Sequence, residues 1–289
     1  MYHCYSPRRF LRLLMLDAII FSVCAACFFI GRAALTFADS LSAQETELPV
    51  IMYHSVGGDA PSEYVVTPEQ LENDLRWLRD RGYTSVTARQ ICSYVNGHGS
   101  LPDRPVLLTF DDGFYSCLSV LLPLLEEYDM YAVVSAVGKY TDVNAAADPH
   151  NTVYSYLTWE DIRALSESGR VELGNHTYDM HSLSPRRGCS QMTGESDEDY
   201  TVALREDISA MQYALHEKAG IEPFVFAYPF GSVSPAAMPV LRECGILMTL
   251  TCHEQVNTLV RSPDCLYGIG RFNRSGLLST EEFMSKIEE

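Results

Sequence analysis

Basic residues are scarce in this sequence of 289 residues, which holds 21 lysines and arginines against 38 aspartates and glutamates. The formal net charge of −17 argues against nucleic acid as a partner, because a phosphate binder needs a basic surface. The sequence also lacks internal repeats, and its composition argues against a disordered, collagen-like or multi-span membrane protein. Hydrophobic residues make up 47% and charged residues 20%, which is typical of a globular chain with one large domain.

The nine cysteines lack the pattern of a disulfide framework. Cys4, Cys24 and Cys27 lie in the N-terminal segment, and the others show neither a C-x-x-C pair nor the close spacing of a small cross-linked scaffold. A domain of this size does not need covalent cross-links to hold its core. We therefore assign no disulfide bridges.

The N-terminal segment combines arginines with an apolar run. Arg8, Arg9 and Arg12 come just before residues 13–30, which contain a single acidic residue, Asp17. The apolar region of a cleavable signal is about 7 to 15 residues long and an anchor needs about 20. The length therefore favours an uncleaved transmembrane signal anchor, with a cleaved signal peptide as the alternative.

This segment also predicts the domain organisation and the location of the protein. The arginines indicate a short basic cytoplasmic head at residues 1–12, by the positive-inside rule. A linker at residues 31–47 then leads to the main domain at residues 48–289. We expect a single-pass protein of the cell membrane whose body is extracytoplasmic, or a secreted protein if the segment is cleaved.

Strand and helix signals alternate along the body. Short apolar strands are predicted at residues 49–56, 84–87, 106–110, 132–137, 171–173, 224–227 and 247–251. Helices are predicted between them, the clearest at residues 115–128, 159–168, 199–219 and 235–244. Another begins at Thr67, with Pro68 at its first position and Gln70 as the capping-box partner. Such alternation predicts parallel strands joined by crossover helices, in an open sheet or a barrel. In both folds, residues that bind ligands or react lie at the C-terminal ends of the strands.

Two adjacent carboxylates follow the predicted strand 106–110, in the sequence Thr109-Phe110-Asp111-Asp112-Gly113. Carboxylates this close repel each other, so we expect a positive partner or a shared proton beside them. The alternative is a strand-to-helix turn in which one aspartate caps the helix. The motif alone does not decide between the two.

Two histidines and a carboxylate follow the predicted strand 171–173, in the sequence His176-Thr177-Tyr178-Asp179-Met180-His181. Imidazoles and carboxylates suit zinc or another first-row divalent ion and leave positions open for water and substrate. Residues five apart on a regular helix point about 140° away from each other, so both rings reach one ion only from a loop, a tight turn or a π-type bulge. The alternative is a pair of surface histidines.

A third group, Ala227-Tyr228-Pro229-Phe230-Gly231, follows the predicted strand 224–227. Proline and glycine here predict a tight loop that would aim backbone N–H groups into a site. Such a turn is often only structural, so this group is weak evidence by itself.

Taken in order and at these separations, the three groups resemble the polysaccharide deacetylase family, the NodB-homology carbohydrate esterases. Thr109-Phe110-Asp111-Asp112 is similar to its first motif, His176 to His181 to its second, and Tyr228-Pro229-Phe230-Gly231 to its third. The resemblance covers residues 48–275 and implies an α/β fold, a deformed (β/α) barrel with fewer than eight regular units. Residues 49–54 and 157–159 are similar to segments of the branch that acts on exported N-acetylglucosamine polymers.

The resemblance implies a role for each motif residue. A divalent ion, zinc before cobalt, nickel or manganese, would be held by Asp112, His176 and His181. Asp111 would be the catalytic base. Substrate would be bound by Tyr228, Pro229, Phe230 and His54, and the Phe230 amide would hold the oxyanion. The implied reaction removes N-acetyl groups from an extracellular cell-wall polysaccharide or exopolysaccharide that contains N-acetylglucosamine, and it releases acetate.

The sequence departs from the common family pattern in three places. One extra residue separates the two histidines, as in the poly-N-acetylglucosamine branch. Ala227 occupies the position of the arginine that holds the catalytic aspartate, and we predict that Arg271 replaces it; the alternative is a surface arginine on a loop. The late L-x-x-H motif that supplies a general acid is missing, which leaves His54 and His253 as the other imidazoles to consider.

Two other functions stay open at this point. The loss of the motif arginine and of the late histidine would suit a sugar-binding pseudoenzyme, although every proposed metal ligand and Asp111 are present. The same metal chemistry would also suit an acetyl-ester hydrolase acting on xylan-like polymers.

Overall fold

The computed structural model describes residues 7–42, 45–58, 60–144 and 147–288. It divides into two compact units, Met1–Gln44 and Glu45–Glu289. The described part of the first unit is one helix, α1 (Pro7–Ser42). This helix includes the predicted membrane segment and continues into the predicted linker, whereas residues 1–6 of the basic head lie outside the described residues. Among the residues whose side chains the structure describes, no helix is long and apolar enough to cross a membrane.

The second unit is built on a nine-stranded sheet whose paired strands run parallel. Its strands are β2 (Val50–Tyr53), β5 (Thr84–Ser85), β6 (Pro105–Phe110), β7 (Ala132–Ala136), β8 (Val171–Asn175), β9 (Val225–Ala227), β10 (Met248–Leu250), β12 (Tyr267–Ile269) and β13 (Phe272–Asn273). Two small pairs accompany it: β1 (Thr46–Leu48) with β11 (Asn257–Leu259), and β3 (Ser55–Val56) with β4 (Val65–Val66).

Helices cross between the strands, as the alternating pattern predicts. They are α2 (Pro68–Asp80), α3 (Ala88–Val95), α4 (Leu122–Glu127), α5 (Trp159–Glu167), α6 (Asp197–Ala219), α7 (Ala237–Glu243) and α8 (Thr280–Glu288). The predicted capping box is confirmed, since the Thr67 side chain accepts from the Gln70 backbone and the Gln70 side chain accepts from the Thr67 backbone. The parallel sheet is covered by helices, and all six residues of β6 are buried.

The sheet order is β12-β10-β9-β8-β7-β6-β2-β13, with β5 pairing beside β6. The two edge strands, β12 and β13, are consecutive in the chain, and only Gly270 and Arg271 lie between them. One short segment therefore pairs with β10 at one edge and with β2 at the other. A sheet whose edges meet in this way is curved, which is consistent with the deformed (β/α) barrel of the NodB-homology type.

Two predicted elements differ from the structure. The predicted strand 49–56 is interrupted at His54, because β3 leaves the main sheet and pairs with β4. The predicted helix 115–128 starts with a π-helical turn at Cys117–Leu121 and becomes α-helical only at α4. Both irregularities lie close to the C-terminal edge of the sheet, where β6 delivers the paired aspartates.

Candidate active site

Strand β6 places Asp111 and Asp112 at the C-terminal edge of the sheet. Asp112 has φ 71° and Gly113 has φ 76°, so two successive residues adopt the left-handed conformation. This sharp turn directs the neighbouring carboxylates to different partners. A side chain at position 113 would be excluded, because its Cβ would lie 2.9 Å from the Cβ of Ala136.

Asp111 is paired with Arg271, as the sequence predicts. The two terminal nitrogens of Arg271 donate to Oδ1 and Oδ2 of Asp111 at 2.8 and 2.7 Å. The Arg271 Nε donates to the carbonyl of Thr251 at 2.9 Å, and the whole side chain is buried. The bidentate fork holds the carboxylate in one orientation. Arg271 reaches it because it lies between β12 and β13, where the edges of the sheet meet.

Both aspartates are held in the ionised form. Burial alone would raise the pKa of Asp111, but the Arg271 guanidinium and the His176 ring outweigh it, so the pKa lies below its ordinary value. Burial would also raise the pKa of Asp112, but hydrogen bonds from His176 and His181 bring it well below the ordinary value. The positive partner expected for this carboxylate pair is therefore Arg271, together with the histidines.

Asp112, His176 and His181 converge on one point. Their candidate ligand atoms all lie within 4.8 Å of one another. The Nε2 atoms of His181 and His176 are 3.1 and 3.5 Å from Oδ1 of Asp112. One carboxylate and two imidazoles form a donor set that suits zinc or a similar divalent ion and leaves positions open.

The loop between the two histidines is shaped by hydrogen bonds to a single carboxylate. The prediction that these residues need a non-helical backbone is confirmed, and Thr177 has φ 74°. On α6, Asp207 accepts from the backbone N–H groups of Tyr178 and Asp179, each at 2.8 Å. One carboxylate thus holds the middle of the loop and lets both rings turn toward Asp112.

The hydrogen bond of His176 defines which ring nitrogen faces the site. Its Nδ1 lies 2.7 Å from the backbone carbonyl of Ala227. A carbonyl only accepts, so Nδ1 carries a proton and Nε2 is the nitrogen that faces Asp112. Metal-binding histidines usually donate their second nitrogen in this way, so the residues fit a metal ion.

A cavity of about 830 Å³ opens over these side chains. Its wall includes Asp111, Asp112, His176, His181, Phe230 and His54. Tyr228 and Pro229 are buried and do not line it, so the side-chain contact with substrate predicted for them does not match the geometry. The reason is the left-handed Phe230, with φ 57°, which turns its own ring to the cavity while Tyr228 packs against Phe226.

A family model that describes polysaccharide deacetylases matches residues 98–249. The chain belongs to the polysaccharide deacetylase family. The matched region contains the paired aspartates, both histidines and the Tyr228 to Gly231 turn, so the resemblance predicted from the three motifs is confirmed.

Individual deacetylases are similar to this chain. It is 29% identical over 222 residues to a poly-beta-1,6-N-acetyl-D-glucosamine N-deacetylase of Escherichia coli K12, an alignment that covers 70% of this chain and 33% of that protein. A de-N-acetylase structure from Aggregatibacter actinomycetemcomitans has a TM-score of 0.70 and 25% identity and covers 84% of this chain and 98% of the other. The BpsB deacetylase domain from Bordetella bronchiseptica has a TM-score of 0.64 and 26% identity and covers 78% and 94%. The chain spans about one third of the Escherichia coli relative.

His54 and His253, the other two imidazoles considered from the sequence, lie in different surroundings. His54 lines the cavity, and its buried Nδ1 has no hydrogen-bond partner among the described residues. Its ring contacts Tyr64, with centroids 4.9 Å apart. Burial lowers the pKa of His54. His253 is exposed and does not line the cavity, so His54 is the imidazole that remains near the paired aspartates.

Two residues that organise the candidate site, Asp207 and Tyr140, were not predicted from the sequence. Asp207 lies on α6 between the buried Leu204 and Ile208, and an acidic residue beside an apolar helix face was the available signal. Tyr140 contacts His181 from the turn after β7. Nothing in its local sequence separates it from the other tyrosines.

Proposed function

We propose that this protein is a metal-dependent hydrolase that removes N-acetyl groups from an extracellular polysaccharide containing N-acetylglucosamine. The observation that carries this proposal is the joint geometry of the site. An Arg-held carboxylate, Asp111, lies directly beside the Asp112, His176 and His181 set at the floor of one cavity. Similarity to proteins named poly-beta-1,6-N-acetyl-D-glucosamine N-deacetylase supports this substrate class.

The residues of the site divide the work between them. Asp112, His176 and His181 would hold a divalent ion, zinc before cobalt, nickel or manganese, which would polarise the acetyl carbonyl and acidify the attacking water. Asp111 takes the proton of that water, since Arg271 keeps it ionised and oriented. The backbone N–H of Phe230 donates to the oxyanion that forms at the carbonyl.

Collapse of the tetrahedral species breaks the C–N bond and requires a proton on the leaving nitrogen. We propose that His54 supplies it in its protonated form, because its ring lines the same cavity as the paired aspartates. The products are acetate and a glucosamine residue. This role replaces the general acid of the missing L-x-x-H motif.

We also propose that the body is extracytoplasmic and is attached to the cell membrane by residues 13–30, or is secreted if that segment is cleaved. The proposal is supported by the arginines before this run, its low charge and its length. A membrane-attached enzyme would meet its polysaccharide outside the cytoplasm.

The pseudoenzyme alternative loses its main support in the structure, because Arg271 fills the role that Ala227 cannot. The substrate class is tested by incubating the full-length protein with N-acetylglucosamine oligomers and with acetylated xylan, and measuring acetate and free amine. We expect acetate and an equal amount of free amine from the oligomers. Release from xylan alone would indicate the esterase, and no release from either would indicate the pseudoenzyme.

A further inference from the structure

Tyr140 contacts His181 at two atoms. It is the first residue of a π-helical turn, Tyr140–Asn144, that follows β7. Its hydroxyl oxygen lies 3.0 Å from the Nδ1 of His181 and 3.2 Å from the backbone carbonyl oxygen of the same residue. One hydroxyl thus contacts both the ring and the main chain of a proposed metal ligand.

The two contacts together determine the direction of each hydrogen bond. A tyrosine hydroxyl has one proton, and the carbonyl of His181 only accepts, so that proton goes to the carbonyl. The hydroxyl oxygen then accepts from Nδ1 of His181, which must carry the proton. Nε2, 3.1 Å from Asp112 Oδ1, is therefore the nitrogen that faces the position of the proposed ion.

We propose that Tyr140 is a positioning residue that fixes the tautomer and ring orientation of His181 for metal binding. This inference rests on the metal site of the proposed function. The other ring contacts of His181, with His176 and Phe230, limit where the ring lies but do not distinguish its two nitrogens. The hydroxyl of Tyr140 makes that distinction, as the carbonyl of Ala227 does for His176.

The competing explanation is that Tyr140 acts only through packing. Its ring centroid lies 4.6 Å from that of Tyr156, which lines the same cavity. Tyr156 therefore provides a matched control, because Tyr156→Phe also removes one hydroxyl from this pair of rings. No hydrogen bond joins the Tyr156 hydroxyl to a histidine among the described residues.

The first test measures the dissociation constant of Zn²⁺ by chelator competition on the full-length protein. We expect Tyr140→Phe to weaken zinc binding by about 10-fold or more, the usual effect of losing a partner of a metal-bound histidine, whereas Tyr156→Phe binds as the wild type does. Equal zinc affinity in Tyr140→Phe and the wild type would overturn the inference.

The second test reads the tautomer directly, in the metal-free wild-type protein, by long-range nitrogen–proton NMR of the histidine rings. We expect both His176 and His181 to be protonated at Nδ1, and the signal of His181 alone to change in Tyr140→Phe. A wild-type His181 without a proton on Nδ1 would overturn the inference. A wild type that binds no zinc would overturn it together with the proposed function, whereas zinc binding without acetate release would refute the function alone.

Discussion

Asp111 and Asp112 are neighbours in the sequence, yet each carboxylate has its own partners. Arg271 holds Asp111 through two hydrogen bonds, and Asp112 faces His176 and His181. The left-handed turn at Asp112 separates the two groups. Because different residues compensate each charge, both carboxylates stay ionised, as the proposed division into one base and one ligand requires.

The division of roles predicts different losses in two variants. We expect Asp111→Asn to lower acetate release by at least about 100-fold, because an amide cannot take the proton from water, while bound metal is retained. Asp112→Asn loses both metal and activity. Metal content by elemental analysis and acetate release are measured on each variant. Equal loss of metal in the two variants would show that the roles are wrongly divided.

Arg271 is expected to act through its planar fork and not through charge alone. Arg271→Lys keeps a cation but not the bidentate pair, so turnover should fall by about 10-fold or more with metal content nearly unchanged. Arg242→Lys, at an exposed ion pair with Asp264, is the matched control. Normal turnover in Arg271→Lys would contradict the role of Arg271.

At the scale of single residues, the sequence predicts which residues lie at the site better than it predicts where their side chains are placed. Asp111, Asp112 and His176 follow apolar strands, so a local pattern places them at the sheet edge. The burial of Tyr228 was not predicted, because it depends on the left-handed turn at Phe230, which the residue types do not reveal. Asp207 was missed because its partners are backbone N–H groups of a loop distant in the sequence.

Among the helices, α6 carries the carboxylate that shapes the histidine loop. In Asp207→Asn one of the two backbone N–H groups would face an amide NH₂ in place of an oxygen. We therefore expect zinc binding about 10-fold weaker or worse, as for other changes beside metal ligands. Glu206→Gln, at the exposed neighbouring position, is the control and should bind zinc normally. Unchanged zinc affinity in Asp207→Asn would contradict this role.

Strand β13 and helix α2 are joined by a buried ion pair, Arg274 with Asp74, at 2.7 Å. Tyr53 and Thr280 also donate to Asp74, so the pair links β2, α2 and α8. We expect Asp74→Asn to lower the free energy of unfolding by about 3 to 5 kcal/mol, because it leaves Arg274 buried without a counter-charge.

The control is Asp264→Asn, which breaks the exposed pair with Arg242 and should cost less than about 1 kcal/mol. Both variants are compared by denaturant unfolding of the full-length chain. Equal and small losses would show that the Arg274 pair does not hold β13.

The elements that the sequence missed are short. Strands β12 and β13 have three and two residues, which is too few to show a hydrophobic alternation. Helix α3 was missed although Thr87 and Gln90 form a capping box at its start. The long helix α6 and the buried strands β6 and β7 were predicted because their apolar patterns are longer.

For the whole second unit, the order of the strands brings the site together. The aspartates follow β6, the first histidine follows β8, and Arg271 comes from the segment that joins the two edges of the sheet. Parallel strands collect these side chains at one end, as the alternating pattern predicts. The pairing of Arg271 with Asp111 depends on how the edges of the sheet meet. From the sequence, this pairing was predicted only through the family resemblance.

The most direct test of the account measures acetate released from N-acetylglucosamine oligomers by the full-length protein, first stripped of metal and then reloaded with zinc. We expect no release from the stripped protein and full recovery at about one zinc ion per chain, since the site has one Asp and two His ligands. Equal release with and without metal, or none in the zinc-loaded protein, would contradict the account.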